Sequence, residues 1–253
     1  MILDKFRLDG KVAIVTGAAR GLGRAMAVGL AEAGADIALV DVLDMAEAQQ
    51  QIKALGRRCI AITADLAKDE SPDLIVSQTL KQLGSIDILF NNAGIIRRAP
   101  FLEFSKKDWD DVMAINIRAV FLLSQAVAKV MARQGRGGKI VNTASLLSFQ
   151  GGILIPSYTA SKSAVTGLTR LMANELAPYK INVNAIAPGY MATDNTKPLR
   201  EDPVRNKAIL DRIPMGRWGQ PEDLQGVAVF LASAASDYMT GYTVAVDGGW
   251  LAR

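Results

Sequence analysis

The chain has 253 residues, a formal charge of +4, half of its residues apolar and 21% charged. This composition excludes a disordered or collagen-like chain, and the length suits a globular protein of one large domain or two small ones. It holds no histidine and one cysteine, Cys59, which excludes Ser-His-Asp hydrolysis, a histidine general base, histidine-ligated zinc, intrachain disulfides and cysteine-cluster metal sites. No metal is therefore expected. Asp4, Lys5, Arg7 and Asp9 crowd the first nine residues, leaving no apolar core for an export signal. No run of about 18 uninterrupted apolar residues predicts a membrane span. The expected setting is reducing and cytoplasmic. Basic residues fall in short, scattered groups (Arg57–Arg58, Arg97–Arg98, 133–139), so neither nucleic acid nor membrane is an expected partner.

The first apolar run, 12–16, is short and β-branched like a buried strand. A glycine turn follows it, then an alanine-rich helix to about Ala33 that stops at Gly34. Strands are predicted at 37–41, 59–63, 86–90, 139–144, 181–186 and 243–246. Helices are predicted at 44–55, 72–83, 108–134, 157–177 and 221–233. Strands alternating with helices imply βαβ units and a parallel sheet, and continuous apolar strands imply helices on both faces. No linker or composition shift divides the chain, so it reads as one doubly wound domain, 1–253. Residues 190–216 are the least regular stretch and a candidate substrate lid, with Pro198, Pro203 and Pro214 among mixed charges.

Two features suit a dinucleotide. Gly17, Gly21 and Gly23 lie in TGAARGLG between strand one and helix one. Glycine permits a tight turn and close approach of a pyrophosphate to backbone N–H groups at a helix N-terminus. The spacing is not G-x-G-x-x-G, and any turn needs glycine, so the context carries the reading. Asp41 ends strand two. There it either accepts hydrogen bonds from ribose hydroxyls and repels a 2′-phosphate, which favours NAD over NADP, or merely caps the strand. Arg20 inside the turn is the counter-signal for NADP. Asp65, after strand three, either holds the adenine edge or begins a turn.

Tyr158 and Lys162 stand four apart on one predicted helix face. A tyrosine ionises near pH 10, and a neighbouring ammonium lowers that value. With no histidine present, this pair is the chain's candidate proton-transfer device. Ser145 follows strand five, where its hydroxyl can meet a carbonyl oxygen. Asn91-Asn92-Ala93-Gly94 follows strand four, and strand C-terminal ends are where open α/β sheets bind ligands. Asn116 falls inside a long predicted helix despite poor propensity. It is either a functional residue there or a solvated, back-bonded one.

These motifs resemble the short-chain dehydrogenase/reductase family over nearly the whole chain: TGAARGLG at 16–23, NNAG at 91–94, Asn116, Ser145, YTASK at 158–162 and PG at 188–189. The resemblance implies a Rossmann-type α/β fold, a doubly wound seven-stranded parallel sheet in a three-layer αβα sandwich. It implies hydride transfer between NAD(P)H and a carbonyl or alcohol. It casts Tyr158 as general acid/base, Ser145 as the group that orients the substrate oxygen, and Lys162 as the residue that lowers the tyrosine pKa and binds nicotinamide ribose. It casts Asn116 as holding a water between Lys162 and solvent. Cofactor contacts are implied for Gly17, Arg20, Gly21, Leu22, Gly23, Asp41, Asp65, Leu66, Asn92, Ala93, Gly94, Tyr158, Lys162, Pro188, Gly189, Met191 and Thr193. The four-residue Tyr–Lys spacing is unlike the family's enoyl-reductase branch.

Longer segments, including NNAGIIRR at 91–98 and IPMGRWGQPEDL at 213–224, resemble family members that act on a sugar acid. Such a substrate needs a cation for its carboxylate. Arg97, Arg98 and Arg217 are the candidates, each alternatively a solvated surface residue. Rival readings are a 3-oxoacyl carrier-protein reductase, with Lys129 and Arg133 as a carrier patch, and a non-catalytic nucleotide sensor. Between Val112 and Ala128 the only charge is Arg118, and between Ser157 and Ala177 the charges are Lys162, Arg170 and Glu175. Helices so poor in charge bury their outer faces against other subunits, so a homotetramer is expected.

Overall fold

The computed structural model describes residues 1–253. Seven strands, β1 (Val12–Thr16), β2 (Asp36–Asp41), β3 (Cys59–Thr63), β4 (Ile88–Asn91), β5 (Gly138–Thr143), β6 (Ile181–Pro188) and β7 (Thr243–Val246), form one sheet. Their order is β3-β2-β1-β4-β5-β6-β7 and every pairing is parallel. Alternate residues of a strand face opposite sides, so β1 feeds two cores. Ala13 and Val15 pack with Met26 and Leu30 of α1 (Gly21–Glu32), Ile52 of α2 (Ala46–Ala54) and Leu231 of α9 (Gln225–Ala232). Val12 and Ile14 pack with Ile75 of α3 (Ser71–Leu83), Val127 of α5 (Ala119–Gln134) and Met172 of α6 (Pro156–Leu176). The result is the three-layer αβα sandwich. The order reverses between β1 and β4, which opens a crevice at their C-terminal ends.

The strand and helix boundaries agree with the sequence pattern to within a few residues, and three departures have local causes. β4 starts at Ile88 rather than at Ile86. The Ile86 N–H instead donates to Gln134 Oε1 at 3.1 Å, and the buried Asp87 carboxylate accepts from Val12 N at 3.0 Å. The long helix is continuous from α4 (Lys106–Met113) through α5, but one π-helical turn, Ala114–Arg118, interrupts it. By length and mean composition the helix 106–134 is apolar enough to cross a membrane, yet charges such as Arg118 and Lys129 interrupt it, in line with the absence of an uninterrupted apolar run. Its inner face, with Val112, Leu123, Val127 and Met131 fully buried, packs within the fold. The stretch expected to be irregular contains two short helices, α7 (Lys197–Glu201) and α8 (Pro203–Leu210). Prolines sit in the first turn of each, where a missing N–H costs nothing. Asp202 caps α8 by accepting from Val204 N and Arg205 N. Ile209 and Ile213 join Leu146, Trp218 and Trp250 in a small core of their own, so this segment is anchored to the end of the chain.

Candidate active site

The crevice between β1 and β4 is pinned by one hydroxyl. Thr16 Oγ1 donates to Phe90 O at 3.2 Å and accepts from Asn92 N and Ala93 N, each at 3.0 Å. Asn92 Nδ2 returns a bond to Thr16 O at 2.9 Å. Below it, Asn91 bonds Ser124 Oγ and Asn142 Oδ1, and Asn142 Nδ2 donates to Thr169 Oγ1. This buried polar chain ties β4 and β5 to α5 and α6. Thr16 and Asn142 were not singled out in the sequence; the available signal was a polar residue inside an apolar strand.

The glycine turn is stripped of side chains where the chain crosses itself. A Cβ on Gly23 would stand 2.1 Å from Gly17 O, and one on Gly17 would stand 2.9 Å from Ala93 Cα. Gly17 and Gly21 have φ of +64° and +56°, the left-handed region that favours glycine. α1 starts without a side-chain cap on its first amides, so its positive end is free to meet an anion. Leu22 packs inward against the core. Asp41 is committed to backbone: Oδ2 accepts from Ala19 N at 3.0 Å, and Oδ1 from Val42 N at 2.8 Å and Leu43 N at 3.1 Å. The carboxylate thus stands between the end of β2 and the glycine turn. Asp65 begins a turn, accepting from Ala67 N at 3.0 Å, with Leu66 beside it packed on the core.

On the opposite wall, Ser145 leaves β5 and caps a short helical turn, accepting from Leu147 N at 3.2 Å. Tyr158 and Lys162 project from the first turns of α6. Lys162 is 4% exposed. Its Nζ donates to Thr143 O at 2.6 Å and lies 5.6 Å from the Tyr158 ring centroid. Burial depresses the Lys162 ammonium to about 8. Burial holds the Tyr158 phenol above its ordinary value against the opposing Ser145 hydroxyl and Arg98 charge, and the lowering expected from Lys162 is not among these effects. Asn116 is fully buried in the π turn. Its side chain pairs with the backbone of Ile95 on both edges, accepting from Ile95 N at 2.9 Å and donating to Ile95 O at 3.0 Å. It also reaches Ser161 Oγ at 3.2 Å. The poor helix former therefore sits where the helix widens, a feature common at functional sites, and it is neither solvated nor back-bonded to its own helix. Gly94, between them, would place a Cβ 3.4 Å from Asn116 Oδ1 and 3.7 Å from Lys162 Nζ.

The segment after β6 crosses the mouth. Gly189 N–H donates to Val246 O at 2.9 Å, and a Cβ there would collide with Asp247 Cα at 2.5 Å. Pro188 ends the strand beside Val246. Met191 is buried against the core and also lines a cavity beside Gly189. Thr193 comes within 3.7 Å of where a Gly21 Cβ would be. Arg20 pairs with Asp194 at 2.8 Å, and Arg98 Nη2 donates to Asn195 O at 3.1 Å.

The three candidate arginines separate. Arg217 is bidentate to Asp223 at 2.6 and 3.0 Å, and its Nη1 also donates to Trp218 O. Asp223 is also the group that raises the Arg217 pKa. Arg97 sits 3.4 Å from Asp108. Arg98 has no carboxylate within ion-pair distance, and its charge reaches Tyr158. Arg97 and Arg217 are thus each paired with an aspartate whereas Arg98 is not, and Arg217 lines a cavity together with Gly189 and Met191. No three Asp, Glu or Cys side chains converge as a metal-ligand group.

Comparisons with known proteins identify the family. A family model described as enoyl-(acyl carrier protein) reductase matches residues 17–251. The chain is 62% identical over 253 residues to the 2-dehydro-3-deoxy-D-gluconate 5-dehydrogenase of Escherichia coli (strain K12), and 61% identical over 253 residues to that of Dickeya dadantii (strain 3937). Each match covers 100% of both chains. A crystal structure from Agrobacterium tumefaciens, described as a 2-deoxy-D-gluconate 3-dehydrogenase with bound NADP, superposes with a TM-score of 0.91 at 54% identity, covering 98% of this chain and 99% of that one. The chain belongs to the short-chain dehydrogenase/reductase family, and it is an oxidoreductase that acts on a CH–OH group with a nicotinamide cofactor.

Proposed function

We propose that the protein interconverts 2-dehydro-3-deoxy-D-gluconate and 3-deoxy-D-glycero-2,5-hexodiulosonate, with NAD as the preferred cofactor. The observation that carries this reading is the convergence on one crevice of Ser145, Tyr158, Lys162 and an arginine, Arg98, free of any carboxylate partner. The similarity to sugar-acid dehydrogenases supplies the substrate. Gly17, Gly21, Gly23, Asn92, Ala93 and the uncapped start of α1 suit a dinucleotide. Its bound nicotinamide would supply the hydride acceptor or donor. Asp41, directed at the glycine turn, favours a ribose with free hydroxyls over a 2′-phosphate. Pro188, Gly189 and Thr193 suit the nicotinamide end.

In the oxidation direction Tyr158 takes the proton of the reacting hydroxyl, and in reduction it returns that proton to the forming alkoxide. Ser145 donates a hydrogen bond to the same oxygen. Lys162 supplies positive charge beside the phenolate, and Asn116 holds the loop after β4 against α6 so that this group keeps its spacing. Arg98 pairs with the substrate carboxylate in a charge-assisted bond. Phe121 and Leu171 are exposed on the outer faces of α5 and α6, and apolar side chains left uncovered there support a homotetramer in which other copies would cover them.

Steady-state turnover of 3-deoxy-D-glycero-2,5-hexodiulosonate with NADH and with NADPH tests the reading. Fast turnover with NADH and little with NADPH is expected. Turnover with NADPH alone would reverse the cofactor assignment. No turnover with either would leave the fold and family standing and remove the substrate.

A further inference from the structure

Leu154 has a φ of +65°, a left-handed backbone rare for a bulky side chain. Two glycines lie just before it, Gly151 and Gly152, and neither takes a positive φ. Leu154 is 48% exposed, so core packing does not account for the conformation. Such outliers persist where the surroundings impose them, and they gather at functional sites.

What Leu154 does in this geometry is visible. Its carbonyl accepts the Ala99 N–H at 3.0 Å. Ala99 lies between Arg98 and Pro100, and a residue before proline is held extended. Arg98 is thus anchored at its backbone neighbour by Leu154 and at its guanidinium by Asn195 O. Leu154 is also four residues before Tyr158. Ile155, next to it, accepts from Thr159 N at 3.0 Å in the first turn of α6. The left-handed residue therefore joins the arm that carries Arg98 to the helix that carries Tyr158.

We infer that Leu154 is a positioning residue for substrate recognition, its left-handed backbone holding the Arg98 arm at a set distance from Tyr158. This rests on the reading of Arg98 as the carboxylate partner. The role belongs to the backbone, so the side chain matters only through the conformations it permits. A β-branched valine resists the left-handed region, whereas glycine enters it freely.

The experiment compares Leu154→Val, Leu154→Gly, Arg98→Gln and the double variant Leu154→Val/Arg98→Gln, reading kcat and KM for 3-deoxy-D-glycero-2,5-hexodiulosonate and KM for NADH. Losing a well-placed charge-assisted bond is expected to raise the keto-acid KM about tenfold in Leu154→Val, with the NADH KM unchanged. Leu154→Gly is expected to stay within about twofold of the parent, since it keeps the geometry at lower strain. In the Arg98→Gln background, Leu154→Val should add nothing further. An equal rise in both backgrounds, or an unchanged KM in Leu154→Val while Arg98→Gln raises it, would overturn the inference and leave the carboxylate reading intact. An unchanged KM in Arg98→Gln would overturn both.

Discussion

Arg20 of the glycine turn and Asp194 of the segment after β6 form a 2.8 Å ion pair that spans the mouth of the crevice. Both side chains are more than half exposed, at 62% and 65%, so the pair contributes at most about 1 kcal/mol. Arg20 is accordingly available to an anion at modest cost. Asp194→Ala removes its competitor. The expected outcome is an NADPH KM lowered by up to about fivefold, with the NADH KM unchanged, measured by steady-state kinetics.

In the proposed reading Asp41 acts on cofactor choice through its charge, and it holds the turn through its three backbone bonds. Asp41→Asn keeps an acceptor and removes the charge. The ratio of kcat/KM for NADPH to that for NADH should rise by about tenfold or more, the effect of relieving a like-charge contact with the 2′-phosphate. Asp41→Ala should also lower the melting temperature, because Ala19 N loses its partner. Thermal unfolding without cofactor checks that part.

Lys162 gives a pH signature. Its folded value of about 8 lies below the 10.5 of a free lysine. Between those values the unfolded chain binds the proton more tightly, so this group makes stability rise with pH across that window. Below about pH 8 the full burial penalty is present. Lys162→Met removes the penalty at every pH. Its stability relative to the parent, from urea unfolding of the ligand-free chains, should therefore be most favourable near pH 7 and decline steadily above pH 8. A difference independent of pH would contradict the depressed value.

Asn116 holds Ile95 by two hydrogen bonds from a fully buried amide. Asn116→Ala leaves both backbone groups without partners and is expected to destabilise the chain by roughly 2–4 kcal/mol. Asn116→Asp keeps the acceptor for Ile95 N but not the donor for Ile95 O, and should also be destabilising. Urea unfolding measures both, and turnover should fall in parallel because the loop after β4 loosens.

Tyr158→Phe removes the proposed acid/base hydroxyl while keeping the ring. Turnover should fall by about two to four orders of magnitude, with NADH binding by fluorescence retained. Arg217→Gln provides a contrast. Its guanidinium serves Asp223, so stability should drop slightly while the keto-acid KM holds.

Much of the site was legible because it lies in short contiguous motifs at strand ends. Gly17 to Gly23, Asn92 to Gly94, Ser145, Tyr158 and Lys162 each follow or face a strand whose apolar run is plain in the sequence. Helix spacing alone puts Tyr158 and Lys162 on one face. The three arginines were indistinguishable there, because their fates depend on partners six or more residues away: Asp223 for Arg217, Asp108 for Arg97 and Asn195 for Arg98.

The order of strands and helices, the two-faced parallel sheet and the candidate proton-transfer pair followed from hydrophobic periodicity and local motifs, which the chain carries in neighbouring residues. Tertiary structure alone decided the rest. The π turn at Asn116 depends on Ile95 and Ser161, 21 and 45 residues away. The hub at Thr16 depends on residues 74 to 77 positions distant. The left-handed Leu154 depends on Ala99. Each is a polar or strained group whose energy is satisfied only by a partner brought near by the fold, and no local pattern encodes which partner that will be.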